Sequence, residues 1–230
     1  KIIQIQEKSK LKELILMSRI ILSVETSSTI CSTAIIENGK ILSCVEEFCP
    51  REHIEKLPGF VKKAFDKSNK TVSNIDAIAV SIGPGSFTGL RIGLGFSKGM
   101  AFSRGLPIIP VPTMLSLAYS LKDKEPKNGI LFSHSKKVFF QSFEWKNNIP
   151  SVKGEAIVTD FESIMEEEEL NFHSNCERFF RDDVEIISTS HSSKHIALLA
   201  SKFYDDWMIK KPYELVPDYV APFIIKTSAK

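Results

Sequence analysis

The first part of the chain is patterned as short apolar strands joined by tight turns. Residues Arg19–Val24 form an apolar, β-branched run that is typical of a buried strand. The segments Cys31–Ile36 and Lys40–Cys49 flank Asn38-Gly39, a pair that favours a two-residue hairpin because both turn positions need positive φ. Strands joined in this way are antiparallel, so the pattern predicts an opening meander.

Helices and strands alternate after the meander. Apolar residues recur at helical spacing through His53–Lys67, with Pro58 near its start. The pattern predicts a strand at Asp76–Ile82, a glycine-rich turn, a helix to about Arg104, a strand at Pro107–Val111 and a helix at Met114–Leu121 with Thr113 as its N-cap. A meander followed by such alternation predicts an α/β fold, a mixed sheet covered by helices.

A charged segment with one proline, Lys122–Asn128, is the best candidate for a domain boundary. We therefore expect an N-terminal extension over residues 1–17, a first domain over 18–121 and a smaller α/β domain over 122–230. The second domain is expected to contain a hairpin of Gly129–Phe132 and Lys137–Trp145, short strands at Ala156–Thr159 and Val184–Ser188, and a helix at Lys194–Trp207.

Composition narrows the function classes. The chain has 230 residues, is 43% hydrophobic and carries a net charge of +2, so strong independent binding of nucleic acid is not expected. Its four cysteines lie at no metal-binding or redox spacing, which favours reduced thiols in a cytosol. Its apolar runs are far shorter than the roughly 20 residues that span a bilayer, so we expect a cytoplasmic protein with no membrane contact.

The segment Asp76–Gly105 carries the most information, and it has two physical interpretations. A strand, a glycine-rich turn and a helix N-terminus can bind phosphate, but no acidic ribose-binding residue follows and no P-loop is present. Alternatively, a ridge of small residues at every fourth position allows close helix packing, since each helical glycine costs about 1 kcal/mol relative to alanine. The ridge consists of Gly85, Gly89, Gly93, Ser97 and Ala101. We expect part of it to pack internally and a second face to receive another chain.

The string from Ile82 to Gly93, IGPGSFTGLRIG, with Glu25-Thr26-Ser27 upstream, resembles the TsaB (YeaZ) family, whose members usually have Asp-Thr-Ser at the upstream position. The resemblance implies an actin–hexokinase–Hsp70-like (ASKHA) fold with two small subdomains. It also implies a non-catalytic dimerization subunit of the complex that makes N6-threonylcarbamoyladenosine at position 37 of tRNA. The catalytic partner would be TsaD, which carries metal and nucleotide, and the ATPase TsaE would join them. Contact with tRNA is then expected only through the complex.

In this interpretation the helices His53–Lys67 and Ser86–Arg104 bind the partner, or a second copy of the chain when the partner is absent. The predicted interface residues are His53, Leu57, Phe87, Gly89, Leu90, Gly93 and Leu94. No catalytic residue, cofactor or metal is expected in this chain. Replacing Gly89 or Gly93 by Leu is expected to abolish the complex without unfolding the chain.

Two enzyme classes remain as alternatives. One is a small ASKHA-type kinase or ATPase with an unusual phosphate loop at Gly83–Thr88, although the first hairpin has no glycine and no Asp-x-Gly is present. The other is a metalloprotease, for which the early helix offers only His53. We interpret the late pair His191 and His195 as surface histidines at the start of a helix.

Overall fold

The computed structural model describes residues 19–167, 169–180 and 186–220, without the side chains of 166 and 167. The predicted extension 1–17 lies outside the described residues, as do the first two residues of the strand predicted at Val184–Ser188. The strands are β1 Ile20–Glu25, β2 Ile30–Glu37, β3 Lys40–Phe48, β4 Ala77–Gly83, β5 Ile108–Pro112, β6 Asn128–His134, β7 Lys137–Lys146, β8 Ile149–Asp160, β9 Phe172–Ser174 and β10 Ile187–Ser188. The α-helices are α1 His53–Ser68, α2 Phe87–Arg104, α3 Thr113–Ser120, α4 Phe161–Glu167, α5 Ser193–Lys202 and α6 Tyr204–Trp207.

The first sheet has the strand order β3-β2-β1-β4-β5. Strands β1, β2 and β3 are antiparallel neighbours, whereas β4 and β5 run parallel to β1. Asn38 and Gly39 have φ of 53° and 73°, as the hairpin between β2 and β3 requires. The predicted mixed sheet with an antiparallel opening meander is therefore confirmed.

Helices cover both faces of this sheet. Helices α1 and α2 pack on one face, where Leu57 and Leu94 join a core with Leu22 and Val80 of the sheet. Helices α3 and α5 pack on the other face against residues such as Ile21 and Ile109. Pro58 is the sixth residue of α1, and the helix continues past it to Ser68 although proline has no N–H to donate. Both outer layers are thus anchored by a continuous apolar interior.

The second sheet has the order β10-β9-β6-β7-β8. The sequence predicted only a short strand near Ala156, but β8 spans 12 residues and pairs antiparallel with β7 along most of its length. The turn between them is Asn147-Asn148, with φ of 52° and 58° at the two residues. Asparagine tolerates left-handed backbone better than other non-glycine residues, so this pair closes a tight hairpin.

Two local predictions near the helices were wrong. Pro112, not Thr113, is the N-cap of α3, and the Thr113 hydroxyl instead accepts a hydrogen bond from the Gly83 N–H at 3.2 Å. The predicted helix Lys194–Trp207 is two helices, α5 and α6, which meet at Phe203. The Thr113 side chain thus fixes the glycine-rich turn rather than capping its own helix.

Helix α5 returns from the second half of the chain to the first sheet. The Ser193 hydroxyl lies 2.6 Å from the Ser32 hydroxyl, and the Ser193 carbonyl accepts a hydrogen bond from the Ser23 hydroxyl at 2.9 Å. These groups are buried, so their pairing removes the cost of placing polar atoms in the core. The segment expected to form a separate domain therefore contributes one helix to the first sheet's core, and the boundary at 121/122 stays a prediction.

The end of the described chain runs past α2 on the side that carries Phe87, Arg91 and Lys98. The Lys98 ammonium donates hydrogen bonds to the carbonyls of Tyr213 and Leu215 at 3.0 and 2.9 Å. The Asp218 N–H donates to the Ile82 carbonyl at 2.7 Å. We call residues 212–220 the C-terminal strap. It holds the glycine-rich turn against the body of the molecule.

Candidate docking helices and the adjoining cleft

The glycine-rich turn adopts a backbone that its sequence makes possible. Gly83 has φ of 122°, and a Cβ at this position would collide with the Asp218 carbonyl of the strap. The next peptide bond, Gly83-Pro84, is cis. Ser86 then caps α2, since its hydroxyl accepts the Gly89 N–H at 3.2 Å.

The small-residue ridge of α2 packs against the turn between β1 and β2. The Thr26 hydroxyl donates to the Gly89 carbonyl at 2.8 Å, and the Ser86 N–H donates to the Ser27 carbonyl at 2.7 Å. A Cβ at Gly89 or Gly93 would collide with Thr26. Part of the ridge thus packs internally, as expected, because the chain's own turn lies against Gly89 and Gly93, and contact of a second face with another chain stays a prediction.

The predicted interface residues are mostly inside the chain. Leu57, Leu90 and Leu94 are buried in the cores described above or beside the turn. His53 is also buried, with Nε2 3.3 Å from the Ile30 carbonyl oxygen. Phe87 is half-buried and packs on Tyr219 of the strap, with ring centroids 4.7 Å apart. These residues shape the two helices, and their direct contact with a partner stays a prediction.

The outward side of α1 and α2 carries features that the sequence pattern did not single out. Gly59 of α1, and Gly95 and Gly99 of α2, have open space where a Cβ would be. Ile54 and Phe102, on the same two helices, are 68% and 72% exposed. The glycines at 95 and 99 repeat the four-residue spacing of the ridge, and this second series was the available signal for an outward small-residue face.

The two turns considered as phosphate loops, the β1–β2 turn and Gly83–Thr88, are joined by the hydrogen bond from the Ser86 N–H to the Ser27 carbonyl. Glu25 at the end of β1 accepts the Ser27 N–H and the Ser27 hydroxyl at Oε1, both at 2.6 Å. Its other oxygen, Oε2, is buried without a hydrogen-bond partner among the described residues. Burial raises the pKa of Glu25 above its ordinary value, against the opposing effect of the Ser27 hydrogen bonds. The Ser27 and Ser86 amides that could hold a phosphate are thus used inside the chain.

The histidines do not form a metal centre. In the part of the chain that the structure describes, no group of three or more His, Cys, Asp or Glu side chains is placed to hold an ion. The interpretation of His191 as a surface residue is wrong, because it is buried and desolvation lowers its pKa to about 4. Burial also lowers the pKa of His195. The two side chains therefore belong to the packing of α5.

A large cleft lies beside the N-terminus of α2. Its volume is about 1680 Å³, and it separates the β1–β2 turn and α2 from the hairpin of β6 and β7. Its walls include Ser27, Arg51, Phe87, Phe132, Arg178 and Tyr219. The cleft is therefore bounded by elements of both sheets and by the strap.

Within the described residues, we find no helix with the length and apolar character that crossing a membrane requires.

Comparisons with known proteins agree with this architecture. The family model for TsaD, tRNA N6-adenosine threonylcarbamoyltransferase, matches residues 44–159, half of the chain. The Escherichia coli K12 tRNA threonylcarbamoyladenosine biosynthesis protein TsaB is 38% identical over 111 residues, which are 48% of this chain and 48% of that protein. The tRNA N6-adenosine threonylcarbamoyltransferase of Thermosipho africanus is 36% identical over 40% of this chain and 32% of its own length. The chain thus spans about half the length, or less, of these curated relatives.

A solved structure extends the likeness to the whole fold. YeaZ from Pseudomonas aeruginosa superimposes with a TM-score of 0.74 at 21% identity, over 87% of this chain and 99% of that one. The predicted ASKHA-type α/β fold is confirmed by this likeness. The chain therefore belongs to the family that the TsaD model describes, and its curated relatives include TsaB proteins.

Proposed function

We propose that this chain is a non-catalytic subunit of the tRNA N6-threonylcarbamoyladenosine transferase complex and that it docks onto a TsaD-type catalytic subunit through the outward side of α1 and α2. The observation that carries the proposal is the pair of open glycines, Gly95 and Gly99, in the middle of α2. A related catalytic protein is a natural partner, because the same family model matches this chain over both helices.

The glycines support docking through their energetic cost. Each helical glycine costs about 1 kcal/mol relative to alanine, and neither of these two positions is crowded by the rest of the described chain. Close approach of another backbone gives such glycines a function, as in other small-residue helix contacts. Exposed Ile54 and Phe102 supply apolar area on the same helices, and burying such side chains would drive association.

A non-catalytic role is supported by the state of the turns near the cleft. The Glu25 carboxylate holds the Ser27 N–H, and the Ser27 carbonyl holds the Ser86 N–H. A kinase or ATPase of this fold class would need such amides for phosphate. The proposal therefore assigns the transfer chemistry to the partner and includes a TsaE-type ATPase in the complex. This chain alone could form a homodimer, and the complex would act on tRNA in the cytoplasm.

Co-purification with the cognate TsaD-type subunit tests the proposal. The double variant Gly95→Leu/Gly99→Leu adds two side chains on the outward face, where they have open space in this chain. We expect it to fold normally, as judged by circular dichroism and thermal unfolding, and to lose co-purification. The matched control is Lys194→Leu, an added leucine at an exposed position of α5 on the opposite side of the first sheet. Retention of the partner by the double variant would contradict the proposed face.

A further inference from the structure

Two arginine–aromatic pairs lie near the cleft, and Phe132, Arg178 and Phe87 of these pairs line it. On the wall of the second sheet, the Arg178 guanidinium lies over the Phe132 ring, 3.6 Å from its centroid, and 5.4 Å from the centroid of Phe179. Arg178 belongs to the short 3₁₀ helix Glu177–Phe179 that follows β9. The guanidinium thus lies over an aromatic face, and Arg178 is exposed to solvent.

The opposite wall repeats the arrangement. The Arg91 guanidinium lies 3.8 Å from the Phe87 centroid, and its Nε–H donates to the Tyr219 hydroxyl at 3.1 Å. Phe87 and Tyr219 themselves pack at 4.7 Å and both line the cleft. The strap therefore completes an aromatic surface beside an arginine, which matches the first pair in chemistry.

The charges around the cleft favour an anion. Arg51, Lys137 and Arg178 line it, against one carboxylate, Glu177. Lys137 forms an ion pair with Asp160 at 3.2 Å. The ion pairs found among the described residues do not include Arg51, Arg178 or Arg91. Guanidinium groups next to aromatic faces combine phosphate contact with base stacking, the two interactions that bind single-stranded nucleic acid.

The size of the cleft and the occupied amides of its turns favour RNA over a free nucleotide as the ligand. Small-molecule pockets hold roughly 300–1,000 Å³, and this cleft holds about 1680 Å³. The amides that would hold a terminal phosphate group are occupied by Glu25 and Ser27. A short unpaired strand needs no such amides, because its phosphates are single and spaced along the backbone.

From this geometry we propose that the cleft binds an unpaired segment of RNA, with a base stacked on the Arg178 guanidinium over Phe132 and phosphates on Arg51 and Arg178. The cleft chemistry is independent of the docking face, and only the identification of the RNA as tRNA rests on the proposed function. The low net charge of +2 predicts weak, local binding, with a dissociation constant of about 10⁻⁴ to 10⁻⁶ M.

Fluorescence anisotropy of the full chain with a labelled, unstructured eight-nucleotide A/U RNA tests this inference. We expect Arg178→Ala to weaken binding by about 5- to 100-fold, the effect of losing one stacking contact. Arg178→Lys keeps the charge but loses the guanidinium plane, so its affinity for the RNA is expected to lie between those of Arg178→Ala and the unchanged chain. Arg104→Ala is the matched control, because Arg104 is an exposed cation at the end of α2 and does not line the cleft.

Three outcomes would overturn the inference. Equal affinity of Arg178→Ala and Arg104→Ala would exclude the cleft as the site, and so would an absence of RNA binding by the unchanged chain at low salt. Competition by ATP at micromolar concentration would identify the ligand as a free nucleotide.

We expect Arg178→Ala to keep its thermal stability and its co-purification with the TsaD-type subunit. Loss of the partner by Gly95→Leu/Gly99→Leu with RNA binding intact would show that the two sites are separate.

Discussion

At the residue scale, two glycines of one helix have opposite environments. A Cβ at Gly89 would collide with the Thr26 carbonyl, whereas a Cβ at Gly99 has open space. We therefore expect Gly89→Ala to lower the free energy of unfolding by about 1–3 kcal/mol through overpacking. Gly99→Ala is expected to raise it by up to about 1 kcal/mol through helix propensity. Urea unfolding of both variants measures the difference, and equal effects of the same sign would contradict the assigned orientation of α2.

This contrast revises an expectation drawn from the sequence. Leucine at Gly89 or Gly93 was expected to abolish the complex and spare the fold, but Thr26 leaves no room for it. The spacing of the glycines is the same in the inward and outward series, so spacing alone could not distinguish them. The difference is tertiary, because it depends on which side of α2 the β1–β2 turn contacts.

A second prediction at this scale concerns His191. Its pKa is lowered to about 4 by burial, below the ordinary value of 6.5, so the folded state binds fewer protons between these values than the unfolded state. The His191 contribution to stability is present above pH 6.5 and is lost as the pH falls to about 4, by about 3 kcal/mol in total. Glu25 changes stability in the opposite direction, since its pKa is raised and its proton favours the folded state.

The variant His191→Asn separates the effect of His191 on the pH dependence of stability from that of Glu25. Asparagine cannot titrate and can still reach toward the Ser174 hydroxyl, which lies 3.4 Å from His191 Nδ1. Urea unfolding from pH 4 to pH 7 is expected to show a stability difference between the original chain and the variant that shrinks as the pH falls. A constant difference across this range would show that His191 is not the buried neutral group described here.

At the element scale, the sequence predicted best where local chemistry decides the structure. The hairpin at Asn38-Gly39, the strand Asp76–Ile82 and the helix that follows are all present near their predicted bounds. Each has a local cause: a turn pair that adopts positive φ, a continuous apolar run, and a serine cap. Helices α1 and α2 are also present near their predicted bounds.

The elements that sequence reasoning missed are defined by the segments they contact more than by their own sequence. Strand β8 has an exposed, mixed pattern, and its pairing with β7 defines it more than its own apolar residues do. The strap contains Pro212 and Pro217 and reads as an irregular tail, yet Asp218 and the strap carbonyls are held by Ile82 and Lys98. Such contacts span more than 100 positions along the chain, so no local pattern could reveal them.

At the scale of the whole molecule, the two sides of the chain have different roles. Helix α5 and the buried serines fasten the second half of the chain to the first sheet. The other side presents α1, α2 and the cleft, with the outward glycines on the helices and the arginine–aromatic pairs in the cleft. The interface residues predicted from the sequence are mostly buried within this chain, whereas the docking surface that we propose is the outward side of the same two helices.

Amide hydrogen exchange of the chain, alone and bound to its TsaD-type subunit, tests this central claim most directly. We expect added protection on binding to be concentrated in the peptides that contain Ile54 to Gly59 and Gly95 to Phe102. Peptides of α5 and β8 serve as internal controls and are expected to be unchanged. Protection confined to α5 or to the second sheet, with α1 and α2 unaltered, would contradict the account.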